Sequence, residues 1–264
     1  VLDAANDFAS VAGTAANLTL NDIDDLDLAG VNIGAGAGSL DLTVGVNLTD
    51  SAANFAGALT LAVTGSAYLD EAGNDFDSVG GSAAGSTLLL TDADDLDLAG
   101  ITVAGGTTYF TVGTDLTDSA PNTVGLMTFT AGGDVILDSL NDFNGINGTA
   151  LNVTVTDIDG LNLNGVTVGA GAGTLTLTAG SLTDTGTTRA GTVALSVTGD
   201  ATLDVAANDF DSVSGTAASV SIVDVDDLTL NGLYSANGAI TVTAGGLLTA
   251  TDVASLTDND ANDI

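Results

Sequence analysis

The sequence predicts an all-β fold, a parallel β-helix (β-solenoid) of about 12 coils, each of roughly 20–27 residues. Three observations predict it. A unit of about 67 residues recurs along the chain, leucine recurs at a finer spacing inside each unit, and apolar residues alternate with polar ones ahead of most of those leucines.

The long repeat is the clearest. The tripeptide NDF starts at Asn6, Asn74, Asn141 and Asn208, and these starts are evenly spaced to within one position. Each copy is followed by an acidic segment closing in Leu-x-Leu, at Leu26/Leu28, Leu96/Leu98, Leu161/Leu163 and Leu228/Leu230. The chain therefore reads as one solenoid domain, 1–264, built of four repeats at about 1–67, 68–134, 135–201 and 202–264.

The finer period has twelve anchors: Leu2, Leu26, Leu48, Leu69, Leu96, Leu116, Leu137, Leu161, Leu182, Leu203, Leu228 and Leu248. Three steps between anchors make up one long repeat, so three coils per repeat are expected. Eight and six positions before most anchors stand two further apolar residues, as in Leu18/Leu20, Leu40/Leu42, Leu61/Val63, Leu88/Leu90, Val153/Val155 and Ile240/Val242. Such alternation marks a strand with one buried face. Parallel stacking would then place equivalent side chains one coil apart, at roughly 4.8 Å. Leu161, Leu182 and Leu203 are expected to share one interior column.

Corners come next. Gly-containing turns such as VTGSAYL (63 to 69) and TAGGLL (243 to 248) serve two coils of every three, and the third has the acidic corners NDIDDL, TDADDL, TDIDGL and VDVDDL. Those coils are the long ones, because the NDF segment adds residues after the preceding anchor. Tandem small sandwiches are the competing architecture, but they would need linkers between units, and none is visible. Helix competes poorly against so much Thr, Val, Gly and Asp. Aromatics make up only 4% of the chain, which suits a narrow interior filled by small and medium aliphatics.

Charge bounds the partners. The formal net charge is −34, Arg189 is the one basic residue and Glu71 the one glutamate. Such a chain repels nucleic acid and anionic membrane surfaces and attracts cations. It has no Cys, and no apolar run long enough to span a membrane as a helix. It starts at Val1 without a signal peptide and is read as a piece of something longer.

With no His, no Cys and one Arg, general-base and nucleophile arrangements have few residues to draw on, and an enzyme is not expected. The acidic corners are the best site candidates. Asp22/Asp24, Asp92/Asp94, Asp157/Asp159 and Asp224/Asp226 are each two positions apart, so both carboxylates of a pair could leave the same side of an extended segment and bind calcium. Solvated turn aspartates are the alternative, since Asp bonds its own backbone in turns. The EF-hand pattern and the glycine-rich β-roll repeat are absent. Thr pairs such as Thr174/Thr176 do not recur in every coil, so an ordered Thr array is not expected. Phe8, Phe76, Phe143 and Phe210 form an aromatic column that either stacks on sugar or plugs each inserted loop onto the coil, the latter being expected.

The segments ITVTAGG (240 to 246), TLTLTAGSLTD (174 to 184) and VALSVTGDATLDVAANDF (193 to 210) resemble the repeats of large filamentous-haemagglutinin-type surface proteins. That resemblance implies a right-handed parallel β-helix, export across the bacterial outer membrane, and adhesion or matrix roles. The expectation is thus a structural, extracellular segment of a bacterial surface adhesin or filament, with calcium as candidate stabiliser. Its expected partners are further copies end to end or a longer chain, together with extracellular polysaccharide or a host surface. The alternative is a polysaccharide-binding module or polysaccharide-degrading enzyme using the face built by the NDF loops.

Overall fold

The computed structural model describes residues 2–255. The fold is an all-β, all-parallel solenoid of about 12 turns. Its contacts group into two units, Val1–Gly133 and Asp134–Ile264.

In the first unit, one coil shows how the sequence is used. Strand Leu18–Asp22 turns through the acidic corner 23–25 into strand Leu26–Ile33, which bends at Gly30. Gly30 has φ 90°, a left-handed value that disfavours any side chain. A short turn, Gly34–Gly36, then leads into strand Ser39–Val44 of the next coil. The coil has three sides, and the alternating apolar residues Leu20, Leu26, Leu28, Val31 and Ile33 all point inward and are at most 1% exposed. Burying each such side chain stabilises by about 1.5–3 kcal/mol, which a stack of coils repeats at every level.

The register defines the interior columns. Leu18 stacks under Leu40, Leu59, Val79 and Leu98 in turn. Leu26 stacks under Leu48, Ala67, Leu88, Thr108 and Met127. In the second unit the corresponding column is Leu161, Leu182, Ala201, Val220 and Ile240. The step from one coil to the next along these columns varies less than the leucine spacings suggest.

Two expectations are corrected here. Leu203 does not continue the column of Leu161 and Leu182: Ala201 does, and Leu203 lies opposite Ile222. The physical reason is that a methyl group fills the inward position at Ala201, so the nearest large aliphatic lies one inward position further along the strand. A repeat is also longer than three coils. Three coils carry the column of Leu26 to Leu88, which holds in the second repeat the place that Leu18 holds in the first. Likewise Leu161 leads to Val220, the counterpart of Val153. Each repeat thus comprises three coils and one further side. Within each unit, equivalent residues of consecutive repeats fall in neighbouring columns.

Candidate functional site

The acidic corners hold the candidate metal ligands, and their geometry splits each pair. Asp22, Asp92, Asp157 and Asp224 turn inward and are 1–4% exposed, while Asp24, Asp94, Asp159 and Asp226 are exposed. One carboxylate of each pair is enclosed and the other is open to water because the segment bends into a corner, and in Asp22/Asp24 and Asp157/Asp159 the two side chains stay within hydrogen-bond reach of each other.

The inward aspartate ties the NDF segment to its coil. The N–H of Phe76 donates to Asp92 Oδ2 at 2.8 Å, that of Phe143 to Asp157 Oδ2 at 2.7 Å, and that of Phe210 to Asp224 Oδ1 at 2.7 Å. Phe8 does the same with Asp22 Oδ1 at 2.8 Å. The other oxygen of Asp92, Asp157 and Asp224 accepts from the N–H two residues on, of Asp94, Asp159 and Asp226, at 3.0–3.1 Å. Asp22 differs, since its Oδ2 is buried without a partner. Burial pushes the carboxyl of Asp92 up to about 7 against the opposing pull of these two N–H donors, and that of Asp157 up to about 6. Asp224 moves in the same direction for the same first cause.

In the three DxDD corners the last acid reaches toward the next coil, while the corner after Asp157 has Gly160 in that place. Asp25 Oδ1 accepts from the N–H of Asn47 at 2.9 Å, Asp95 Oδ1 from Asp115 at 3.0 Å, and Asp227 Oδ1 from Leu247 at 2.6 Å. A glycine sits over the corner in that coil. A Cβ on Gly45, Gly113 or Gly245 would lie 2.0 Å from the carbonyl oxygen of Ile23, Ala93 or Val225. Two of the three acids in a DxDD corner therefore accept from backbone, while the middle and last acids are both exposed. Among the described residues no group of three or more His, Cys, Asp or Glu side chains is placed to hold a metal ion.

Sequence reasoning missed a second polar feature, a buried amide ladder. Asn54, Asn74, Asn122, Asn141, Asn208 and Thr188 are 0% exposed. Asn54 Oδ1 accepts from the N–H of Val31 at 3.0 Å, and the N–H of Asn54 donates to Asn74 Oδ1 at 2.9 Å. Asn74 Nδ2 donates to Asp50 Oδ2 at 2.7 Å, and that carboxylate also accepts from the N–H of Asp70 at 3.0 Å through Oδ1. In the second unit Asn208 and Asp184 repeat the arrangement, with Nδ2 to Oδ2 at 2.6 Å. There Thr188 stands where Asn54 and Asn122 stand in their repeats. Its N–H reaches Asn208 Oδ1 at 2.9 Å, but its hydroxyl is buried without a partner. The one signal in the sequence is the first residue of NDF, which reads there as a loop residue.

Phe76, Phe143 and Phe210 are fully buried, so they plug their loops and cannot stack on a sugar; Phe8 is half-buried. Among the described residues no helix is long and apolar enough to cross a membrane.

Parallel coils with a repeating inward aspartate and a buried amide ladder define a β-solenoid repeat protein. The chain belongs to the family described as "Repeats of unknown function (DUF5649)", whose model matches it three times, over residues 15–81, 85–150 and 150–217. These matches span most of the chain and keep the length of the repeat read from NDF. No curated protein and no solved structure matches the chain.

Proposed function

We propose that this chain is a structural β-solenoid segment of a bacterial surface adhesin or filament, working outside the cell as a spacer. One observation supports the reading above others. The polar residues that recur with the repeat, Asp92, Asp157 and Asp224 with Asn74 and Asn208, are bonded to the backbone of their own or adjacent coils instead of converging at one place. A chain whose recurring polar groups hold coils together is built for length and stiffness. The likeness of its Thr- and Leu-rich segments to filamentous-haemagglutinin-type repeats supports the surface location, and the net charge of −34 keeps such a segment soluble and apart from anionic membranes.

The test is to label intact cells of the source organism with antibody to this chain and image the labelled material by electron microscopy. Surface label on filaments or extended projections is the expected result. Label confined to the interior of permeabilised cells would overturn the reading.

A further inference from the structure

The tyrosines break the repeat. Tyr68 occupies a place held by Ile136 and Thr202 in later repeats, and Tyr109 one held by Asp41, Thr176 and Thr241. They are not equivalent to each other, yet the extra side in each repeat brings them into one column of the first unit. Tyr68 lies opposite Leu89, and Leu89 opposite Tyr109. Thr49 precedes this column and Thr128 follows it.

All of these side chains face outward. Tyr68 is 39% exposed and Tyr109 44%, each between two buried neighbours. Neither phenol hydroxyl has a hydrogen-bond partner among the described residues, whereas Tyr234 donates to Asp252. Two large aromatic rings left open to water have no role in the core. Threonines flank Leu89 and Tyr109 in register, with Thr87 opposite Thr107 on one side and Thr91, Thr111 and Thr130 on the other. Beside Tyr68 the outward neighbours are Ser66 and the exposed Asp70, the one acid at the edge of this strip, in a chain that carries 35 acidic residues.

We infer that Tyr68, Leu89 and Tyr109 form a flat platform that binds a neutral linear polysaccharide running along the stack of coils. Adjacent parallel strands lie roughly 4.8 Å apart, so rings two coils apart are about 10 Å apart. That is close to the span of two sugar rings in an extended glycan, so alternate sugars could lay their C–H faces on the two tyrosines. The aromatic face supplies apolar area and the phenol a polar handle, a combination suited to a ligand that is apolar on one face and hydroxylated at its rim. The threonine rows supply hydroxyls on either side of the track. Charge selects the ligand: a molecule of net charge −34, with Asp70 at the edge of the strip, repels acidic glycans while leaving neutral ones unopposed. The proposal does not depend on surface location, because it is tested with the isolated chain.

The chain has no Trp and three Tyr, so intrinsic tyrosine fluorescence reports on this platform. The full chain is titrated with neutral hexa-oligosaccharides of β-1,4-glucan, β-1,3-glucan, β-1,4-mannan and β-1,4-xylan, with oligogalacturonate as the acidic comparison, and binding is checked by calorimetry. At least one neutral glycan is expected to bind, with Tyr68→Ala and Tyr109→Ala each weakening it between about threefold and tenfold at an unchanged melting temperature. Tyr234→Ala should leave binding as it was. Absence of binding to all four neutral glycans, equal binding by the tyrosine variants, or tighter binding of oligogalacturonate would each overturn the proposal.

Discussion

The backbone N–H of Phe76 and the carboxylate of Asp92, sixteen residues apart in sequence, meet at 2.8 Å inside the protein. This contact closes the NDF loop onto the acidic corner of the same repeat, and its counterparts recur at Phe143/Asp157 and Phe210/Asp224. It also buries a carboxyl group whose two oxygens both accept from backbone.

Replacing Asp92 by Asn would turn an amide NH₂ toward one of those two N–H donors. One hydrogen bond is lost and a buried donor is left unsatisfied, so Asp92→Asn should destabilise by about 1–3 kcal/mol. Urea unfolding measures this. A variant as stable as the parent would remove the corner from the account of stability.

The pH dependence follows from the same group. The carboxyls of Asp92 and Asp157 are raised to about 7 and about 6 from an ordinary value of 3.8, chiefly by desolvation. The folded state therefore binds these protons more tightly than the unfolded state. Their contribution is fully present below about pH 3.8 and is lost as pH rises through 6 to 7. Thermal melts should show stability falling from pH 5 to pH 8, with a shallower fall in the Asp92→Asn variant. A stability that rises over this range would contradict the burial of these groups.

Thr188 marks an interruption in the amide ladder, with a buried hydroxyl that bonds nothing. Asn in its place would restore the oxygen that Asn54 and Asn122 offer to the N–H of Val31 and Ile101. Thr188→Asn should stabilise by about 1 kcal/mol, read as a shifted urea midpoint. The reverse change, Asn54→Thr, should cost a similar amount or more.

The glycines over the acidic corners are required by space. Gly113→Ala would place a methyl group 2.0 Å from the carbonyl oxygen of Ala93, a backbone atom that can move only if the coils part. A loss of about 1–3 kcal/mol is expected, as for overpacking of a filled interior. Gly245→Ala should behave alike against Val225.

The solenoid was legible because period-2 apolar pairs and the recurrence of NDF are long, redundant signals, and Leu26/Leu48, Leu96/Leu116, Leu161/Leu182 and Leu228/Leu248 do stack in register. The phase was less legible. Ala67 and Ala201 fill inward positions with a methyl group, so a search for large aliphatics steps past them to Leu69 and Leu203. The candidate site was legible in part. Asp recurrence pointed to the corners, but sequence cannot distinguish an inward Asp92 from an outward Asp94. Asn54 and Asn74 were invisible because asparagine in a polar stretch reads as a solvated turn, and only the fold reveals that both are enclosed. The tyrosine column was hidden for a further reason: its members come from different repeats and meet only through the extra side.

The last prediction concerns ions. With 35 acidic residues and one basic residue, like charges recur along the coils. Neighbouring coils lie roughly 4.8 Å apart, less than the Debye length of about 8 Å at physiological ionic strength, so carboxylates on successive coils repel across the stack. Sodium chloride should raise the melting temperature steadily from low salt upward by screening this repulsion. Calcium is the discriminating ion. Asp92, Asp157 and Asp224 have both oxygens bonded to backbone N–H groups, whereas the outer acids of the corners, such as Asp94 with Asp95 and Asp226 with Asp227, are exposed. Calcium needs several oxygens converging on one point, and exposed side chains that stay hydrated do not supply them. With these acids solvated, calcium and magnesium should raise the melting temperature equally at matched ionic strength. A shift with calcium well beyond that with magnesium, reversed by a chelator and abolished by Asp94→Asn together with Asp226→Asn, would show instead that the corners gather into a calcium site.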